Sequence, residues 1–221
     1  MMKKFTHIET NPLPRLTRTN VDGKRVYKTQ TGECYPSVTT VLSVRGKKAI
    51  YEWRQRVGAK VADEISLKAT TRGTKVHSLC ETYLNNDVLP ELNFFESESW
   101  SRFRPVLDRI DNIRHIEAFL YSDHLGMAGQ VDCIAEFDGK LSVIDFKTSK
   151  RLKTKEDIPG YFAQCTAYAI MYEERTGIPI NRLVVLMSVD DEEPLVFTEK
   201  RDNYVKYLLE TKKMFDNNEI S

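Results

Sequence analysis

The 221-residue sequence lacks any apolar run long enough for a membrane-spanning helix. Such a helix needs roughly 20 consecutive apolar residues, so the sequence excludes this class of membrane protein. Cysteine is scarce as well, because Cys34, Cys80, Cys133 and Cys165 are scattered and form no Cys-x-x-Cys pair. We therefore expect neither a cysteine-based zinc site nor a disulfide framework.

The first twenty residues also lack the features of a targeting segment. The stretch MMKKFTHIETNPLPRLTRTN has no apolar segment after its lysines, and it contains an acid and two prolines. It therefore fits neither a secretory signal nor an amphipathic transit peptide. We expect an intracellular, reducing location, namely the cytoplasm (of the host, if a phage encodes the protein), and no membrane partner.

The net charge of +1 hides an asymmetry along the chain. Residues 1–60 contain 13 Lys and Arg against 4 Asp and Glu, whereas residues 61–221 contain 20 against 28. A basic first quarter in an otherwise acidic protein indicates a local surface that binds a polyanion. At 41% hydrophobic residues, the length suits one substantial core, so we expect a single domain over residues 1–221 and a monomer.

The residue pattern predicts helices first and a mixed α/β core afterwards. Residues 1–35 are expected to be irregular except for a short strand at 25–29. Helices are predicted at 47–86 (interrupted near 70–73), 97–112, 157–176 and 202–215, and strands at 115–122, 129–137, 140–147, 182–189 and 194–199. This divides the chain into a basic N-terminal segment with a helical lobe (1–112) and an α/β core (113–221).

Two apolar runs flank an Asp-Gly pair in residues 128–150, AGQVDCIAEFDGKLSVIDFKTSK. This pattern predicts a hairpin with a two-residue type I′ loop. With that loop, Asp132 falls directly opposite Asp145, and Lys147 lies on the same face two residues further along. Facing carboxylates repel each other unless a cation lies between them. Mg²⁺ or Mn²⁺ is the natural candidate, because hard divalent ions prefer carboxylate oxygens; the alternative is a solvated hairpin face.

These residues resemble the PD-(D/E)XK nuclease superfamily, in which an Asp on one strand precedes Asp/Glu-x-Lys on the next. Here the motif reads Val131-Asp132 and then Asp145-Phe146-Lys147. RecB-type members add a histidine on an earlier helix, matched by His77 in RGTKVH, and a later Gln-x3-Tyr, matched by Gln164 and Tyr168. The usual proline before the first acid is replaced by valine.

The order of PSVTTVLS, WRQRVG, RGTKVHSLCETYL and AGQVDCIA with LSVIDFKTSK is similar to the mitochondrial genome maintenance exonuclease family and its phage relatives. The resemblance covers about residues 36–190. It implies a restriction-endonuclease-like mixed-sheet core flanked by helices, with a helical N-terminal lobe. It also implies a metal-dependent DNA exonuclease that acts on single-stranded DNA with free ends, in repair or recombination.

The resemblance further implies a role for each matched residue. Asp132, Asp145 and the backbone carbonyl of Phe146 would hold Mg²⁺ or Mn²⁺, with His77 as a further ligand or as a structural histidine. Lys147 would position the attacking water or stabilise the developing charge, and Gln164 would contribute to catalysis. Some RecB-type nucleases bind an iron–sulfur cluster through a late group of cysteines. No such group is present, so neither an iron–sulfur cluster nor zinc is expected.

DNA contacts are predicted from basic and polar residues near these motifs. They are Arg54 and Arg56 in KKAIYEWRQRVGAK, Arg72 and Thr74 before His77, and Lys150 and Tyr168 in the core. Glu81 could support His77 or be an exposed helix residue, and Glu117 could lie near the site or on the surface. Two other functions stay open: a structure-specific endonuclease or resolvase on the same core, and an inactive nucleic-acid-binding protein.

Overall fold

The protein is described by a computed structural model over residues 3–21 and 23–219. Its first elements form a three-stranded antiparallel sheet with strands in the order β1, β2, β3. The N-terminal segment was expected to be irregular except for one short strand before a helical lobe; the structure instead has a three-stranded sheet before the helices. The predicted short strand is the second strand of this sheet.

The strands and helices follow the predicted order from residue 110 onward. The strands are β1 (Thr17–Val21), β2 (Lys24–Lys28), β3 (Cys34–Pro36), β4 (Ile110–Ser122), β5 (Met127–Phe137), β6 (Lys140–Ser149), β7 (Arg182–Val189) and β8 (Leu195–Lys200). The α-helices are α1 (Val38–Leu42), α2 (Lys47–Val57), α3 (Ala59–Leu84), α4 (Phe94–Leu107), α5 (Pro159–Thr176) and α6 (Asp202–Asp216), with short 3₁₀ helices at Ser43–Gly46 and Lys155–Asp157. None of these helices is long and apolar enough to cross a bilayer.

The second sheet has five strands in sequence order and contains one parallel pair. Strands β6 and β7 run parallel and are connected through α5, because a parallel pair needs a long crossover. Helices α1, α5 and α6 cover one face of the sheet, and α3 and α4 cover the other. The predicted α/β class with a mixed sheet flanked by helices is confirmed.

The predicted hairpin between β5 and β6 is present with the expected loop. Asp138 and Gly139 have φ angles of 51° and 70°, as a type I′ turn requires. Phe137 pairs with Lys140, and the pairing continues as far as Cys133 with Ile144. The register follows the prediction up to the residue before the two acids.

Helix α3 is continuous, in contrast to the predicted interruption near residues 70–73. Thr70, Thr71 and Gly73 have weak helix propensity, but the last two turns of the helix pack onto the sheet and stabilise it. Cys80, Tyr83 and Leu84 are buried there against the sheet. In the first half of the helix, Ala62 is the buried residue.

The small N-terminal sheet is attached to the large sheet at one end of β5. Tyr27 and Leu16 pack on Ala128, and Ser37 forms an isolated bridge with the same residue. The backbone N–H of Ser37 also donates to the carbonyl of Arg25 at 3.0 Å. The first three strands are thereby fixed beside the strand that carries Asp132.

The tight contact at Gly129 gives a first prediction. A Cβ at this position would lie 2.7 Å from the Tyr168 hydroxyl oxygen, and Tyr168 is buried on α5. Gly129→Ala should lower the free energy of unfolding by about 1–3 kcal/mol through overpacking, measured by urea denaturation. Gly160→Ala is the matched control, because no atom lies within 4 Å of its added Cβ, and it should not destabilise. Equal losses in both variants would contradict this account.

Candidate active site

A cleft of about 660 Å³ opens between the small sheet, α3 and the end of the β5–β6 hairpin. Its walls carry ionisable, hydroxyl and amide side chains from separate parts of the chain. They are Arg18, Arg25, Ser37, Thr39, Thr74, His77, Ser78, Glu81, Glu117, Gln130, Asp132, Lys147, Tyr161, Gln164 and Tyr168. The cleft therefore brings together most of the residues of the sequence motifs.

Asp132 is fixed by a hydrogen bond at the point where β5 and β6 separate. Its Oδ2 accepts from the backbone N–H of Phe146 at 2.8 Å, and the last paired residues before it are Cys133 and Ile144. Asp132 and Asp145 are therefore not a pair within the ladder, although both lie at the same end of the hairpin. The carboxylate of Asp132 accepts the hydrogen bond that this β6 backbone N–H would otherwise donate to β5.

Three potential metal ligands meet around Asp132. One ligand atom each from His77, Glu117 and Asp132 lies within 4.8 Å of the other two. The Nδ1 of His77 is 3.6 Å from Oδ1 of Asp132. Imidazole nitrogens and carboxylate oxygens suit divalent transition metals, and carboxylate oxygens also suit Mg²⁺. The donor set therefore fits a divalent cation.

Glu117 enters this cluster because it lies opposite Asp132 in the register of β4 and β5, between the pairs Ile116–Cys133 and Ala118–Val131. Its φ angle is 51°, a left-handed conformation that is uncommon for a residue other than glycine. The amide of Gln130 donates to the Glu117 carbonyl at 3.0 Å. Burial, together with the negative charges of Asp132 and Glu81, raises the pKa of Glu117 to about 8. The open question about this residue is thus answered: it lies in the cleft.

Asp145 and Lys147 form a buried ion pair beside the cluster. Lys147 Nζ donates to Asp145 Oδ1 at 2.6 Å, and Asp145 is 1% exposed. Burial raises the pKa of Asp145 above its usual value even though Lys147 opposes the shift. Burial alone would lower the pKa of Lys147, but the carboxylates of Asp145 and Asp132 raise it above its usual value. Asp145 Oδ2 is buried without a hydrogen-bond partner among the described residues, so it has a lone pair free for a cation.

Helix α5 presents three polar side chains to the cleft. Tyr161, Gln164 and Tyr168 line it from one face of the helix. Lys147 Nζ lies 5.1 Å from the centre of the Tyr161 ring, within cation–π range. The sequence analysis did not identify Tyr161, which lies one helical turn before Gln164.

The predicted DNA contacts divide into two groups. Thr74 and Tyr168 line the cleft. Arg72 instead pairs with Asp190 and Arg54 pairs with Asp63 at 2.8 Å. Neither Arg56 nor Lys150 lines the cleft, and both are exposed.

The sequence pattern did not identify two arginines of the small sheet as individual site residues. Arg18 and Arg25 line the cleft, and neither forms an ion pair within residues 3–21 and 23–219. The excess positive charge of the first quarter of the chain was the signal that could have located them. A strand at 17–21 was not predicted, so their position beside the hairpin was not foreseen.

Acids and a lysine lie at the end of a hairpin, in a cleft whose two arginines form no ion pair among the described residues. This combination suits the metal-assisted hydrolysis of phosphodiesters. A comparison with protein families agrees, because the profile described as the PD-(D/E)XK nuclease superfamily matches residues 94–211. This is more than half of the chain. The chain therefore belongs to the PD-(D/E)XK nuclease superfamily.

Curated relatives carry a more specific name. The chain is 30% identical to human mitochondrial genome maintenance exonuclease 1 over 129 residues, which cover 53% of this chain and 38% of the human protein. The Xenopus tropicalis protein of that name is 28% identical over 179 residues, covering 72% of this chain and 50% of the relative. The chain thus spans half or less of the length of these relatives.

Among solved structures, a Eubacterium rectale protein described provisionally as an exonuclease is similar, with a TM-score of 0.44 and 16% identity. The match covers 66% of this chain and 64% of that one.

The raised pKa of Glu117 predicts a pH-dependent cost to stability. In the unfolded chain this group ionises near 4.5, and in the folded protein near 8. The unfolded state therefore binds fewer protons between these values, and stability falls as the pH rises through this window. In EDTA, Glu117→Gln should be more stabilising relative to wild type at pH 9 than at pH 5, measured by urea denaturation. Glu64→Gln, at an exposed position on α3, should show no such trend, and a flat difference for Glu117→Gln would contradict the prediction.

Proposed function

We propose that the protein is a metal-dependent DNA exonuclease that hydrolyses phosphodiester bonds from the ends of single-stranded DNA. The observation that carries the proposal is the clustering of His77, Glu117 and Asp132 within 4.8 Å, beside the buried Asp145–Lys147 pair. A binding protein has no need to gather these acids, because their mutual repulsion destabilises the fold.

The residues that would hold Mg²⁺ or Mn²⁺ are Asp132, Asp145, the Phe146 carbonyl and His77, to which we add Glu117. A divalent ion bound there would lower the pKa of a bound water and neutralise charge on the scissile phosphate. The unpartnered Asp145 Oδ2 supports this assignment. So does the raised pKa of Glu117, which results first from burial and then from the neighbouring carboxylates, whose negative charge a cation would offset.

Lys147 would position the attacking water or stabilise the charge that develops on the phosphate. It is suited to this role because its pKa is raised by the neighbouring carboxylates, so the ammonium group stays protonated. Its contact with the Tyr161 ring restricts where the amine can move. Gln164, which is 9% exposed and lines the same wall, would contact the substrate or the water.

The charge and shape of the cleft support single-stranded DNA as the substrate. Arg18, Arg25 and Thr74 offer donors for backbone phosphates, and the half-buried Tyr161 offers an aromatic ring, a combination that suits unpaired strands. Tyr168 lines the same wall but is itself buried, which leaves its ring little surface for a base. We propose dependence on a free end because the similar relatives are named as exonucleases. We also propose that residues 1–221 act as one nuclease domain and as a monomer.

The metal assignment predicts a direct binding result. Glu117→Gln should weaken Mn²⁺ binding about tenfold or more, because even groups that contact a metal only through its ligands contribute 10- to 100-fold to affinity. Isothermal titration calorimetry without DNA provides the measurement. Glu64→Gln keeps the same change of charge on an exposed helix position and should bind as wild type does. Equal affinities for all three proteins would exclude Glu117 from the ligand set.

The proposed activity is tested with end-labelled linear and covalently closed circular single-stranded DNA, each in Mg²⁺, Mn²⁺ or EDTA. Wild-type protein should degrade only the linear strand and only with metal. Lys147→Ala should lose activity by several orders of magnitude, since the catalytic ammonium group is removed. Lys140→Ala is the matched control, because Lys140 is exposed at the other end of the same strand, and its activity should equal that of wild type.

The other outcomes separate the alternatives. Cleavage of the circle would make the protein an endonuclease at the same site. DNA binding that persists in EDTA, without cleavage under any metal, would replace the enzyme with a binding protein.

A further inference from the structure

A second polar groove of about 370 Å³ adjoins the cleft at the tip of the small sheet. It is lined by Asn20, Gly23, Lys24, Arg25, Thr39, Thr40, Ser43 and Lys47. Arg25 and Thr39 line both this groove and the cleft, so the two are continuous. Among the residues that the structure describes, the lining includes three cations and no acid. The other lining residues mostly carry hydroxyl and amide groups that can donate hydrogen bonds.

Within residues 3–21 and 23–219, no acid forms an ion pair with the cations of the groove, namely the exposed residues Lys24, Arg25 and Lys47. By contrast, nearby Arg45 pairs with Glu210 and Arg54 pairs with Asp63. Such a site attracts a polyanion without first having to break an internal salt bridge.

Hydrogen bonds and a β-bridge connect the groove to β5, the strand that carries Asp132. The Arg25 carbonyl accepts from the N–H of Ser37 at 3.0 Å, and the Ser37 hydroxyl accepts from the N–H of Thr40 at 3.0 Å. Ser37 in turn bridges to Ala128, which lies on the same strand as Asp132. A ligand that occupies both the groove and the cleft therefore meets fixed positions.

We infer that this groove binds backbone phosphates of the substrate strand that lie next to the phosphate in the active-site cleft. The inference rests on the proposed nuclease function and identifies a part of the substrate that the sequence motifs do not contact. The ligand is a nucleic-acid strand rather than a free phosphate, because the groove is continuous with the cleft and carries three separate cations. Contacts of this kind recognise the backbone and not the base sequence.

The first test measures binding of a fluorescent 20-nucleotide single strand in EDTA at several salt concentrations. For single strands, each lost phosphate contact reduces the slope of log K against log salt by about 0.7. Lys24→Ala/Lys47→Ala should therefore reduce the slope by about 1.4. Arg15→Ala/Lys28→Ala removes the same charge from exposed positions that line neither the cleft nor the groove, and it should change the slope by much less. Equal slopes for both double variants, or no strand binding by the wild type, would overturn the inference.

The second test uses substrate length in the presence of metal. The ratio of kcat/KM for a 20-mer to that for a trinucleotide should fall about tenfold in the Lys24/Lys47 variant, because only the longer strand reaches the groove. The Arg15/Lys28 variant should keep the wild-type ratio. If the wild type cleaves both substrates and the ratio is the same in all three proteins, the groove is not a subsite although the nuclease proposal stands. Failure of the wild type to cleave any DNA would instead remove the proposed function, and the binding slopes would then decide the groove alone.

Discussion

The hydrogen bond from the Phe146 N–H to the Asp132 carboxylate is the contact on which the site depends. It lies immediately beyond the last β5–β6 pair, Cys133 with Ile144. It directs the Asp132 side chain into the gap between the strands. Because a buried backbone donor must have a partner, the carboxylate both satisfies β6 and leaves its second oxygen toward His77. One side chain thus combines a structural and a chemical role.

The site concentrates negative charge that the fold alone would not favour. Asp132, Asp145 and Glu117 lie together in a partly enclosed space, and only Lys147 forms a close ion pair with one of them among the described residues. The raised pKa of Glu117 and its left-handed backbone are two signs of this unfavourable arrangement. Strain and perturbed ionisation of this kind occur where function constrains the structure. The surrounding apolar layers on both faces of the sheet stabilise the arrangement.

The hairpin and the acids were predictable from sequence because they depend on local rules. The Asp-Gly loop fixes the register of β5 against β6, and period-two alternation then places Asp145 and Lys147 on one face. Glu117 could not be placed in this way, since the pairing of β4 with β5 shifts between Asp111 and His115. An irregularity of this sort leaves no clear mark in the residue pattern. The short strand at 25–29 was predicted and corresponds to β2, but the outer strand β1 was missed because it is entirely exposed and shows no apolar alternation.

The family profile begins at residue 94, yet one wall of the cleft is built from residues before that point. A fragment starting there would keep Asp132, Asp145 and Lys147 but would lack His77 and the small sheet. It would also expose the apolar surface that Tyr83 and Leu84 cover in the whole chain. The boundary of the family profile therefore differs from the extent of the residues that build the cleft, and the segment with Asp132, Asp145 and Lys147 does not form the whole cleft by itself.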